Sequence, residues 1–188
     1  MSRELDVGRH LLQPHPAAGA DAHGVVTEIA VQVTRFAEGE LWLRYELIGQ
    51  VESLRVPESR SPVRTDGLWR HTCFEAFLGR AGAAEYWEYN FSPSGAWAAY
   101  HFNAYREGMA PLMSGAPPAL RLEEGENHLG LEARIDLAWL TRPGAMGLRL
   151  GLAAIVEDRA QQHSYWALKH PGEKPDFHHA DGFALELG

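Results

Sequence analysis

Carboxylates, imidazoles and aromatic rings, the side chains that grip or transform polar ligands, gather in two parts of this chain. The first part is Asp66 to Tyr105, DGLWRHTCFEAFLGRAGAAEYWEYNFSPSGAWAAYHFNAY, which holds eleven of the nineteen Phe, Trp and Tyr residues. Within it Trp69, Arg70, His71, Glu75, Tyr86, Glu88 and Asn90 form a candidate ligand-binding set. Flat rings can stack on the apolar face of a pyranose, while carboxylate and amide groups engage paired hydroxyls. The competing reading is an aromatic-rich core, with Arg70 and Glu88 solvated and Trp69 capping its edge. The second part is the tail, with His163, Tyr165, Trp166, Lys169, His170, Lys174, Asp176, Phe177, His178 and His179 around a loop containing Pro171, Gly172 and Pro175. Here the expectation is a loop that closes over one end of the fold. A metal site is disfavoured, because neighbouring His178 and His179 project to opposite sides of an extended chain.

Two other chemistries use the same residues. Haem needs a strong axial ligand, for which His71, His101 and Met109 are available, with Met113 a weaker choice. A glycosidase needs two carboxyl groups about 5 to 10 Å apart across the scissile bond, and Glu75 and Glu88 on neighbouring strands could supply them. No nucleophile elbow, phosphate-cradling glycine loop or HExxH pattern occurs.

The elements that must position these groups are strands. Ile29, Val31 and Val33 alternate with Glu28, Gln32 and Thr34, and Leu41, Leu43, Tyr45 and Leu47 alternate with Trp42, Arg44 and Glu46. The same period of two returns in Leu129 to Leu137 and in Leu148 to Ala154, which predicts half-buried antiparallel strands. Turns are expected at Glu38-Gly39, Ser92 to Gly95, Glu124 to Asn127 and Pro143-Gly144, and loops over Gly108 to Pro118 and His15 to Gly24. Trp69 to Phe77 reads as one strand, and Phe183 to Leu187 as the last. In the strand that follows Phe77, Trp87, Tyr89 and Phe91 face one way and Tyr86, Glu88 and Asn90 the other. Many short strands at this spacing predict a single-domain, all-β antiparallel β-sandwich, jelly-roll-like in character.

The totals narrow the partners. At 188 residues and 45% hydrophobic the chain suits one substantial core. A net charge of −8, with no basic run, argues against nucleic acid. The single cysteine, Cys73, excludes an intramolecular disulfide and is expected to be a buried small hydrophobe. No apolar run is long enough to cross a membrane and no signal-peptide pattern opens the sequence, so a cytoplasmic location is expected.

The segments LWRHTCFEAFL, YWEYNFSPSGAWAAY and SYWALKHPGEKPDFHHADGFALEL resemble those of bacterial DOMON-like domains, a group similar to the family 9 carbohydrate-binding modules. The resemblance runs from about Val7 to Leu187, with ARIDLAWL matching a strand that enters a short helical turn. It implies a β-sandwich with one concave, ligand-binding sheet, and it adds Trp166, Lys169, His170 and His178 to the ligand-contact candidates. In the wider superfamily the ligand is a sugar in some members and haem in others. Taken together, the expectation is a module that binds a carbohydrate or sugar-containing metabolite without turnover and with no cofactor. Haem carriage and sugar modification through Glu75 and Glu88 are the alternatives. Oligomeric state is left open by the sequence.

Overall fold

Period-two alternation becomes two packed antiparallel sheets. The computed structural model describes residues 4–16, 25–56, 58, 62–140 and 147–187, and among them there are strands and short 3-10 turns but no α-helix. The first sheet runs in the order β1 (Glu4–Leu11), β3 (Val26–Phe36), β4 (Glu40–Gly49), β10 (His128–Asp136) and β9 (Ala119–Gly125). The second runs β2 (Gln13–Pro14), β12 (His163–Ala167), β11 (Leu148–Glu157), β5 (Cys73–Arg80), β6 (Tyr86–Phe91), β7 (Trp97–Phe102) and β8 (Ala110–Pro111), with β13 (Leu185–Leu187) also pairing with β11.

The expected apolar stripes meet between the sheets. Ile29, Val31, Val33, Leu41, Leu43, Leu47, Leu129 and Leu131 from the first sheet are fully buried against Phe74, Leu78, Phe91, Leu150 and Leu152 from the second. Tyr45 crosses this core to donate its hydroxyl proton to the Glu75 carbonyl at 2.8 Å, so one hydrogen bond ties the first sheet to the strand that carries the candidate carboxylate. The far side of the first sheet carries ion pairs such as Arg9–Glu28 and Arg44–Glu46, and the Arg134 guanidinium lies 3.7 Å over the Trp42 ring. That face is a solvated surface, as the alternation requires.

The turns at Glu38-Gly39 and Ser92 to Gly95 form where expected, each closed by a glycine N–H and each using the left-handed backbone open to glycine, φ +91° at Gly39 and +89° at Gly95. Pro143-Gly144 lies outside the described residues, as does most of the His15 to Gly24 loop. Three expectations need correction. Trp69 belongs to a 3-10 turn, Leu68–Arg70, and strand β5 starts only at Cys73, because Gly67 at φ +79° bends the chain just before it. The Gly108 to Pro118 loop contains the two-residue strand β8, and the last strand begins at Leu185, leaving Phe183 outside it.

Candidate functional site

Strands β5 and β6 are buried on both faces, although alternation gives only one face to the sandwich core. The outer face of the second sheet presents Glu75, Phe77, Tyr86, Glu88, Asn90, Tyr100 and Phe102, and the tail crosses over it. Phe183 is its apolar anchor. Its ring stacks on Phe77 at 5.9 Å and sits above Gly79 and Gly151, where a Cβ would lie 2.9 and 2.8 Å from the ring. Two glycines on adjacent strands thus form the recess that admits it. Burying such a ring stabilises the docked tail by about 1.5–3 kcal/mol.

Upstream of that anchor the tail and the β7–β8 connection meet through charge. Asp176 accepts hydrogen bonds from Tyr105 Oη at 2.6 Å, Arg106 Nη2 at 2.9 Å and the His178 backbone N–H at 3.2 Å. Burial would raise the Asp176 carboxyl, but these donors and the Arg106 charge hold it below its ordinary value. Arg106 takes φ +55°, a left-handed backbone uncommon outside glycine, in the turn that follows β7.

Between sheet, tail and turn lies a cavity of about 330 Å³. Its walls include Trp69, Phe102, Tyr165 and Phe177, and its polar groups are Glu75, Glu88, Arg106 and His178. Glu75 is 3% exposed and its Oε1 is buried with no hydrogen-bond partner. Glu88, 4% exposed, accepts from Asn90 Nδ2 at 2.6 Å. Burial, and next the charge of Glu88, push the Glu75 carboxyl well above the usual range. Burial also raises Glu88 to about 7, against the opposing pull of Asn90 and Arg106. Because Glu75 pairs across strands with Asn90, and Phe77 with Glu88, the two carboxylates are diagonal neighbours on one sheet face.

The His178 ring closes this arrangement. Its Nδ1 is 2.8 Å from Tyr86 Oη, which also accepts from the Arg106 backbone N–H at 3.1 Å. Among the described residues Nδ1 is the acceptor within reach of the tyrosine's own proton, and its donation there leaves the hydrogen of the neutral imidazole on Nε2, 3.8 Å from Glu88 Oε2. Burial, then the nearby Arg106 charge, lower His178 to about 4 and keep it neutral at physiological pH.

Of the ligand-contact candidates named from the sequence, Trp69, Glu75, Glu88 and His178 line this cavity, together with Tyr165 and Phe177 from the tail set. Tyr86 and Asn90 stand behind it, orienting His178 and Glu88. The others do not converge there. Arg70 is exposed, and its carbonyl accepts from His163 Nε2. His71 donates to the buried Glu157, which Arg55 also holds at 2.8 Å. Trp166 has the opposite parity, so it lies in the sandwich core with its indole N–H on Ser164. Lys169 is exposed, and His170 fastens the tail to the Gln13 carbonyl at 2.8 Å. Among the suggested iron ligands, Met109 lines the cavity and Met113 is exposed, whereas His101 faces the other side of the sheet beside Trp87. No group of three or more His, Cys, Asp or Glu able to hold a metal occurs among the described residues. Phe102, Arg106 and Ile155, which the sequence reading overlooked, also line the cavity. Alternation past Tyr100 could have found Phe102; nothing local marks Arg106.

No protein-family model matches the chain, and no characterised protein matches its sequence. Among solved structures, a candidate carbohydrate-binding protein from Bacteroides uniformis is similar at a TM-score of 0.60 and 15% identity, over 92% of this chain and 82% of that one. A family 9 carbohydrate-binding module from Caldicellulosiruptor kristjanssonii, solved with glucose, aligns at 0.43 and 11% identity over 84% of this chain and 74% of that one. Its complex with cellotriose aligns at the same score over 83% and 78%. The first of these is a likeness of fold: two antiparallel sheets packed as a β-sandwich.

Proposed function

We propose that this protein binds a carbohydrate or sugar-containing metabolite in the cavity beneath the tail and releases it unchanged. The observation that carries this reading is Glu75, a buried carboxyl group whose Oε1 has no partner within the protein and which lines a cavity walled by aromatic rings. Buried polar atoms are normally paired, so an unpaired one in a cavity calls for a donor from outside. A sugar supplies hydroxyl donors for the carboxyl and an apolar ring face for Trp69. The carbohydrate-binding description of the Bacteroides protein points the same way. Turnover is not part of the reading, because Glu75 and Glu88 rise from the same wall and do not straddle a bond placed against it.

Calorimetric titration with a panel of neutral mono- and oligosaccharides, cell-wall precursors included, tests the proposal. At least one sugar should bind, and Trp69→Ala should weaken it by about tenfold or more, the equivalent of ~1.4 kcal/mol. Silence across the panel, or unchanged affinity in the variant, overturns it.

A further inference from the structure

The cavity carries more carboxyl groups than its fixed cation can satisfy. Glu75 and Glu88 line it and Asp176 borders it, against one guanidinium, Arg106. That guanidinium is committed to Asp176 at 2.9 Å, with its charge also near the Tyr105 ring. His178 offers an Nε2–H but no charge. The remaining titratable neighbours add no cation: Tyr86 on β6, Tyr165 on β12 and the buried Cys73 thiol on β5, whose Sγ is 3.6 Å from Asn90 Oδ1. Two adjacent buried carboxyl groups cannot both ionise cheaply, so without a ligand the pair retains a proton. A ligand that brings its own positive charge removes that obstacle and meets the unpaired Oε1 with a charge-assisted donor. Aromatic walls suit such a ligand too, since ring faces attract cations.

We propose that this site selects a ligand bearing an ammonium group, which on the sugar-binding reading is an amino sugar, with the ammonium held by Glu75 and Glu88 and the ring lying against Trp69 and Phe177. This deepens the reading above and rests on it for the sugar part alone. Binding then displaces one proton from the carboxyl pair into solvent, leaving one carboxylate to balance the ammonium.

The test is calorimetry on the full chain at pH 6 with glucosamine, galactosamine and mannosamine, each beside its neutral parent and its N-acetyl derivative, and with cyclohexylamine as a ring amine without hydroxyls. Two buffers of different protonation heat report protons released. An amino sugar should bind at least about tenfold tighter than its neutral parent, ~1.4 kcal/mol, and acetylation should erase the gain. About one proton should leave on binding. Glu75→Gln should abolish both the preference and the proton release, and the ligand series decides the matter should that variant fail to fold. Neutral sugars binding as well as amines, or amines binding with no proton released, overturns the ammonium preference and leaves sugar binding standing. Cyclohexylamine binding with proton release while every sugar fails supports the ammonium site and overturns the sugar. No binding by any of these overturns both.

Discussion

Glu88 shows what burial does to a single side chain. In the folded protein it keeps its proton up to about pH 7, whereas an unfolded chain loses it near the ordinary glutamate value of ~4.3. Between those values the folded state binds the extra proton, so this group makes the protein less stable as pH rises. His178 acts with the opposite sign. Folded, it protonates only near 4 and unfolded near ~6.5, so its contribution grows as pH climbs between them. The two oppose each other in the native chain over most of that range. Glu88→Gln removes one of them, and urea denaturation should show the variant gaining on the native protein between about pH 5 and pH 8 by on the order of 3 kcal/mol. A pH-independent difference would mean that Glu88 is ionised and hydrated in the fold. The sequence made Glu88 and Asn90 visible through their shared parity with Tyr86. It could not show that Asn90 serves Glu88 or that Tyr86 sets the His178 tautomer, because Tyr86 and His178 are 92 positions apart and meet only through the path of the tail.

At the scale of elements, the long strands were readable and the pieces that finish the site were not. The inner faces of β3, β4, β10 and β11 follow from alternation alone. Trp69 reaches the cavity from a turn, where strand parity has no meaning, and Trp166, a candidate through the resemblance, is directed by its parity into the core. Phe183 belongs to the same group of surprises, since only the spacing of Gly79 and Gly151 on adjacent strands explains where it docks. Gly151→Ala should push that ring off its seat and cost about 1–3 kcal/mol in chemical denaturation, through overpacking. Gly147→Ala is the control: its added methyl meets nothing within 4 Å and should change stability by less than about 0.5 kcal/mol. Equal effects of the two substitutions would show that the recess does not anchor the tail.

The whole molecule is best described as a sheet shared by two interiors, one apolar between the sheets and one mixed beneath the tail. Cys73 belongs to the second and is fully buried there, its thiol pushed far up by burial and then by Glu75 and Glu88. Thiolate is the reactive form, so a maleimide dye should label Cys73 only as fast as the protein opens, with the rate following denaturant concentration. Rapid labelling of the native protein would show this interior to be permeable. The sharing also governs how such a protein can diverge. Since Phe74 and Glu75 point to opposite interiors, as do Trp87 and Glu88, exchanging one side chain for another can retune the ligand site while the sandwich core keeps its contacts. Gaining or losing one residue within β5 or β6 is a different event. It would swap the two interiors along the rest of that strand, sending carboxylates into the apolar layer and rings into the cavity. Lineages of this protein should therefore vary in letters but keep these two strands in frame, with changes of length confined to the connections.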